Sequence, residues 1–276
     1  MARKLFCQIN PTCYRISMYK EIMLRYIKDF FSSCRIAKDF SGDEFKYLIK
    51  SHTSIALRNL HNVDFELQKN KITNLELACA KINGLIIKPG ETFSFWRTIG
   101  EPTEKKGYKE GLVIIPGGFG KGVGGGLCQL ANMIHYLVLN SELEVTELHH
   151  HSDALFPDDR RRVPFGTGTS VCFNNIDYRF TNKTNKNYQL LLWVEDSVLC
   201  GELRCDVPGK YRYKLVEEDS HFAKEGKKYF RISKVYKITI NRKTNKEVKK
   251  DLILDNHSEV LYDYDLIPKE EIRNDW

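Results

Sequence analysis

Apolar residues recur at helical spacing in three stretches of the chain. In residues 16–31, Ile16, Ile22, Met23, Tyr26, Ile27, Phe30 and Phe31 follow steps of three and four, with Lys20, Arg25 and Lys28 between them. A basic polar face allows peripheral membrane contact. Glu21 and Asp29 dilute that charge, so a helix packed against the protein is the first expectation. A second helix is expected from Thr73, where Thr73-Asn74-Leu75-Glu76 reads as a capping box and Leu75, Ala78, Cys79 and Ile82 share a face. Asn83-Gly84 closes it. In the third, Leu127, Leu130, Ala131, Ile134, Leu137 and Val138 form an apolar stripe.

Elsewhere the pattern shortens to strand period. Short pieces are expected at 45–49, 54–57, 85–87, 92–96, 112–115 and 143–148. From Ser170 onward strands dominate, at 170–173, 176–180, 188–194, 198–204, 229–240 and 246–254. The Asn-rich connectors 182–187 and 241–245 look like hairpin turns. Helices early and strands late predict an α+β fold with mixed or antiparallel sheets and a glycine loop leading into a central cysteine-bearing helix. The expected organisation is a helical N-terminal region (1–64), a main domain (65–208) and a C-terminal β appendage (209–276).

Composition changes this picture little. The 276 residues are 42% hydrophobic, enough for a sizeable core. The 43 basic and 36 acidic side chains are interspersed, and the Arg160-Arg161-Arg162 run lies beside Asp158 and Asp159, so nucleic acid is not an expected partner. The first 31 residues lack the apolar core and cleavage pattern of a secretory signal. No run reaches the ~18–20 apolar residues of a spanning helix. A cytoplasmic protein is expected on that ground. The eight cysteines form no CxxC pair and no compact framework, so most are expected to be reduced core residues.

The chemistry concentrates at Gly117-Gly118-Phe119-Gly120-Lys121-Gly122-Val123-Gly124-Gly125-Gly126, seven glycines in ten residues, followed by Leu127-Cys128-Gln129. Cys128 falls in the first turn of the third helix, where unpaired N–H groups and the positive dipole end favour a thiolate. The N–H groups of Gly126, Leu127 and Cys128 are candidate oxyanion donors. About twenty residues on, a strand delivers His149-His150-His151-Ser152. His135, seven residues from Cys128 and so about 10 Å along the helix, is too far to be its base.

Other readings stand beside this one, and from residue types alone the structural one is the commoner. A lone cysteine in an apolar helix is commonly core, and adjacent histidines are commonly surface. His149 and His151 with Asp153 or Asp158 have zinc-ligand spacing, but no ligand pair elsewhere supports a metal, and no cofactor is expected. Gly120, Gly122 and Gly125 spell GxGxxG, yet the loop before them is too long for a dinucleotide fold, and Lys121 is followed by glycine rather than Ser or Thr.

Residues 75–96, the block Gly124-Gly125-Gly126-Leu127-Cys128-Gln129, the cluster 149–152 and residues 177–182 together resemble the VanW family, named for an accessory protein of vancomycin-resistance clusters. The resemblance spans roughly residues 65–206. It implies a cell-envelope role, and for some members peptidoglycan L,D-transpeptidation through the cysteine of this block. Carried over, Cys128 would be the nucleophile, His151 the base with His149 second, and Glu147 or Asp153 the residue orienting the ring. Gly124, Gly125, Gly126, Gln129 and Ser152 would line the substrate, a peptidoglycan stem peptide or precursor. Two classes follow: a cysteine acyltransferase or hydrolase, and a non-catalytic accessory or binding protein of glycopeptide resistance or envelope stress.

Overall fold

A computed structural model describes residues 5–32, 34–57, 65–115, 118–150, 153–154, 157, 163–173 and 175–273. The chain enters through α1 (Pro11–Phe31), with Asn10 capping the N–H of Cys13 and Pro11 in the first turn, where its missing N–H costs nothing. Two short strands, β1 (Arg35–Ile36) and β2 (Asp39–Phe40), precede β3 (Tyr47–Ile55), one continuous strand where two pieces were expected. Helix α2 (Phe65–Ile82) begins well before Thr73. Thr73-Asn74-Leu75-Glu76 is therefore helix interior rather than a cap, and the buried Asn74 directs its side chain elsewhere. Gly84, at φ +84°, ends that turn as expected.

Strands β4 (Leu85–Ile87) and β5 (Glu91–Ser94) lead into a one-turn helix, α3 (Phe95–Ile99), which replaces the end of the expected 92–96 strand. Ser94 caps it by accepting from the Arg97 N–H. The glycine stretch is mostly not a loop: β6 (Glu110–Ile115) pairs antiparallel with β7 (Gly118–Val123), and only Gly124–Gly126 turn into α4 (Leu127–Leu139). Then come β8 (Glu144–Glu147), β9 (Asp153–Ala154), β10 (Arg179–Thr181), β11 (Tyr188–Glu195) and β12 (Val198–Cys205). The tail supplies β13 (Tyr211–Glu225), β14 (Lys228–Asn241), β15 (Glu247–Val260) and β16 (Ile272–Arg273).

The strands form three sheets beside the β6–β7 hairpin, in the orders β1-β5-β10-β8, β2-β4-β11-β12-β3 and β16-β13-β14-β15-β9. The second is antiparallel throughout; the others include parallel edge pairs, β1 with β5, β13 with β16 and β15 with β9. Helices and mixed sheets coexist, as an α+β chain requires. The connector 182–187 joins strands of two different sheets and is not a hairpin. Asn182 holds it, donating to the carbonyls of Ile87 (2.9 Å) and Lys186 (2.7 Å). The connector 241–245 is a hairpin turn, with Asn241 accepting from the N–H groups of Lys243 and Thr244.

The main core lies where α2 and α4 meet the first two sheets, with Leu75, Ala78, Ile82, Leu130, Ile134 and Leu137 against Phe93, Phe180, Leu190 and Leu203, all buried. A smaller core joins Ala154, Phe165, Phe222, Val260 and Ile267. Helix α1 belongs to neither, since none of its 21 residues is buried. Among the described residues no helix is long and apolar enough to cross a membrane.

His135 sits in the main core, 2% exposed, with Nδ1 3.1 Å from the Tyr178 hydroxyl. Burial, helped by the charge of His150, pushes its pKa down to about 3 from 6.5. The folded state therefore holds the neutral ring. Its stability contribution is complete above pH 6.5 and lost as pH falls toward 3, at up to ~1.4 kcal/mol per unit. Urea titrations between pH 7 and 4 should show this slope, and His135→Gln should flatten it.

Candidate functional site

Cys128 is positioned from below by Asn74. This fully buried amide donates to the carbonyls of Lys109 (3.0 Å) and Gly125 (2.9 Å) and accepts from the Lys109 N–H (2.8 Å), pinning the hairpin and its glycine turn to α2. The turn must be glycine for packing reasons. A Cβ on Gly125 would lie 2.3 Å from the Gly111 backbone, and Gly126, the residue before α4, sits at φ +99°. Gln129 fixes the helix start from the side, donating to Ser54 Oγ (2.8 Å) and the Ile55 carbonyl (3.0 Å) on β3.

The Cys128 thiol is half-buried and donates to the Val171 carbonyl, Sγ···O 3.7 Å. Burial pushes its pKa above that of a free thiol, with hydrogen bonding to the backbone at Val171 and at Cys128 itself opposing and the neighbouring Cys172 adding to the rise. The thiolate expected from the helix terminus is not the resting state. Desolvation of a small anion outweighs a dipole that acts only over the first turn.

A second cluster surrounds Glu147 at the end of β8. Arg25 of α1 grips it with two hydrogen bonds (2.9 and 2.6 Å), and His149 Nε2 lies 3.1 Å from its Oε1. Arg179 links this pair to Asp29 of α1 through two bonds (2.7 and 2.8 Å) and to the fully buried Asp177 at 2.7 Å. Asp177 in turn accepts from Ser94 Oγ and from the N–H groups of Trp96 and Tyr178. Burial alone would raise the Glu147 carboxyl. Hydrogen bonds from Arg25 and His149, with the charges of Arg25 and Arg179, hold it at about 2.

One short segment ties the two clusters together. The Thr169 N–H donates to Asn132 of α4 (2.7 Å), the Ser170 N–H to the His149 carbonyl (2.7 Å), and the Val171 carbonyl accepts from Cys128. Consecutive residues thus touch the histidine strand and the cysteine. The His149 ring itself turns to Glu147, and His150 Nδ1 lies 3.2 Å from the Gly166 carbonyl. His151 and Ser152 lie outside the described residues, as do Asp158 and Arg160–Arg162. A pocket of about 260 Å³, lined by residues including His135, Leu148, His150, Thr167 and Lys237, opens beside α4, though Cys128 does not line it. Burial pushes Lys237 down to about 8.

The clamp residues Arg25, Asp29 and Arg179, and the buried Asn74, were not among the residues expected at the site. Asn74 lies within the Thr73-x-x-Glu76 pattern, which points to a cap at Thr73 and says nothing of Asn74 itself. Arg25 and Asp29 looked like the polar flank of an amphipathic helix, and their partners lie more than a hundred positions away.

The family described as VanW like protein matches residues 70–204. Over 95% of its length the chain is 28% identical to the vancomycin B-type resistance protein VanW of Enterococcus faecalis, covering 95% of that protein. Residues 70–204 thus form a VanW-like domain. The uncharacterized protein YoaR of Bacillus subtilis is 31% identical over 118 residues, which is 43% of this chain and 37% of YoaR. No solved structure matches the chain. Asn74, the glycine turn, Cys128, Glu147, His149 and Asp177 all fall inside the VanW-like segment, whereas α1 and β13–β16 fall outside it.

The depressed Glu147 carboxyl makes the clamp acid-sensitive. Its stabilisation is present above pH 4.5, the ordinary value, and is lost as pH falls toward 2. Arg25→Ala should cost about 1–2 kcal/mol at neutral pH, allowing for solvent screening. Urea unfolding of the two proteins should converge as pH drops through that window.

Proposed function

We propose that this VanW-like protein is a cysteine acyltransferase or hydrolase acting on peptidoglycan-type peptides, with a role in glycopeptide resistance or the cell envelope. The relative named for vancomycin resistance supports the class. The observation that carries the chemistry is the Ser170-Val171 bridge, which sets the strand leading to the histidines beside the turn that presents Cys128.

In this reading the resting thiol is protonated and needs a base. An imidazole of the 149–151 cluster, His151 first and His149 second, takes the Sγ proton as sulfur attacks the carbonyl carbon of a stem-peptide amide. The C–N bond breaks, the leaving amine takes the proton from the imidazolium, and a thioester remains on Cys128. An incoming amine gives a proton to the imidazole, attacks the thioester and releases the sulfur, which regains its proton. Water in place of the amine gives hydrolysis. N–H groups at the start of α4 face the charge developing on oxygen. Glu147, ionised through the physiological range, holds the orientation of the histidine strand. Gly124–Gly126, Gln129 and Ser152 border the bound peptide.

A second reading is a non-catalytic accessory protein that binds a wall peptide. It is favoured by the raised Cys128 thiol and by glycines whose identity packing already requires. The two separate cleanly in stem-peptide turnover. Cys128→Ala should abolish it, and His151→Ala should lower it by about 10²–10⁴-fold, with folding unchanged. Peptide binding and resistance that survive Cys128→Ser would overturn the enzyme.

A further inference from the structure

Helix α1 is held to the protein in an unusual way for an amphipathic helix. Two of its charged residues face inward: Arg25 reaches Glu147 and the Asn175 carbonyl (3.0 Å) and Asp29 reaches Arg179, while the Tyr26 ring lies 5.1 Å below the Arg97 guanidinium. Helix α1 thus lies against the protein through polar contacts, and most of its apolar stripe is left uncovered. On the side of the helix away from Arg25 and Asp29, Ile16, Tyr19, Met23, Ile27, Phe30 and Phe31 are 46% to 81% exposed.

The charges have sorted by side as well. Asp29 is consumed by Arg179, and Glu21 is half-covered on the inward flank, 3.0 Å from Lys20. Arg15, Lys20 and Lys28 are exposed beside the apolar stripe. An uncovered stripe of this length with cations along it matches an anionic lipid surface. It does not match a second copy of itself, which would bring the same cations together against a single acid.

We propose that the outward face of α1 lies in the headgroup region of an anionic membrane. The bidentate Arg25–Glu147 and Asp29–Arg179 pairs then make the helix a rigid bracket. Because Glu147 also meets His149, the bracket sets the height and orientation of the Cys128 side of the molecule relative to the lipid. This holds whether Cys128 catalyses or only binds.

The test is co-sedimentation with vesicles of phosphatidylcholine alone and of phosphatidylcholine mixed with phosphatidylglycerol. The protein should bind the mixed vesicles and scarcely bind the neutral ones. Arg15→Gln, Lys20→Gln and Lys28→Gln together should weaken binding on the order of 100-fold, about fivefold per cation. Ile27→Ser, Phe30→Ser and Phe31→Ser together should abolish it. All six side chains are exposed, so unfolding midpoints should not move. Equal binding to both vesicle types, no binding to either, or a lipid-free dimer that the serine variant dissociates would each overturn the proposal.

Discussion

The buried carboxylate of Asp177 is the interaction on which the arrangement depends. A lone ionised carboxylate in a dry interior is prohibitively costly, and this one is sustained by the Ser94 hydroxyl, two backbone N–H groups and the Arg179 guanidinium. Each donor comes from a place the carboxylate thereby holds: the β5–α3 junction, its own chain and β10. The two terminal nitrogens of Arg179 donate to Asp29 of α1, and its Nε, bonded to Asp177, also lies 3.5 Å from a Glu147 oxygen. A single buried charge therefore links the first helix, the strand that delivers the histidines and the sheet under the core. Removing it would leave the Arg179 Nε–H, the Ser94 hydroxyl and two buried backbone N–H groups short of an acceptor together.

Cys128 is governed by a different balance. A helix N-terminus stabilises a thiolate by a modest electrostatic term, while removal of water destabilises it by a larger one. The turn that makes a nucleophile accessible in many enzymes is here pressed against β6 so tightly that only glycine fits at Gly125. Accessibility and packing have been traded, and the resting thiol is protonated. The proposed chemistry therefore requires a dedicated base, and in it the strand leading from Glu147 to the histidines matters more than the helix dipole.

Much of this was legible in the sequence. The apolar stripes of α1 and α4 and the strands from Tyr188 to Cys205 show plainly, because in each the apolar residues recur at a fixed period, whether that face is buried as in α4 or exposed as in α1. The glycine-rich stretch reads as a loop since glycine has no β preference, yet β7 forms because its backbone pairs with β6 along its whole length. Strand β13 was missed because Glu217, Glu218, Asp219 and Lys224 interrupt its apolar alternation and both neighbours lie in the sequence after it. The expected start of α2 falls too late because Thr73-x-x-Glu76 matches a capping box while lying inside the helix, where the adjacent Asn74 acts as a buried clamp. Long-range ion pairs leave no periodic trace, so α1 showed its amphipathic character but not which face points inward.

The account stands or falls on whether Cys128 forms a covalent bond to an acyl group. Intact-protein mass spectrometry after mixing the protein with peptidoglycan stem peptides measures this directly. The account predicts a mass increase equal to the acyl fragment, lost on treatment with hydroxylamine and absent in Cys128→Ala. An unmodified protein that nonetheless binds the peptide, equally well with Ser at position 128, would contradict it.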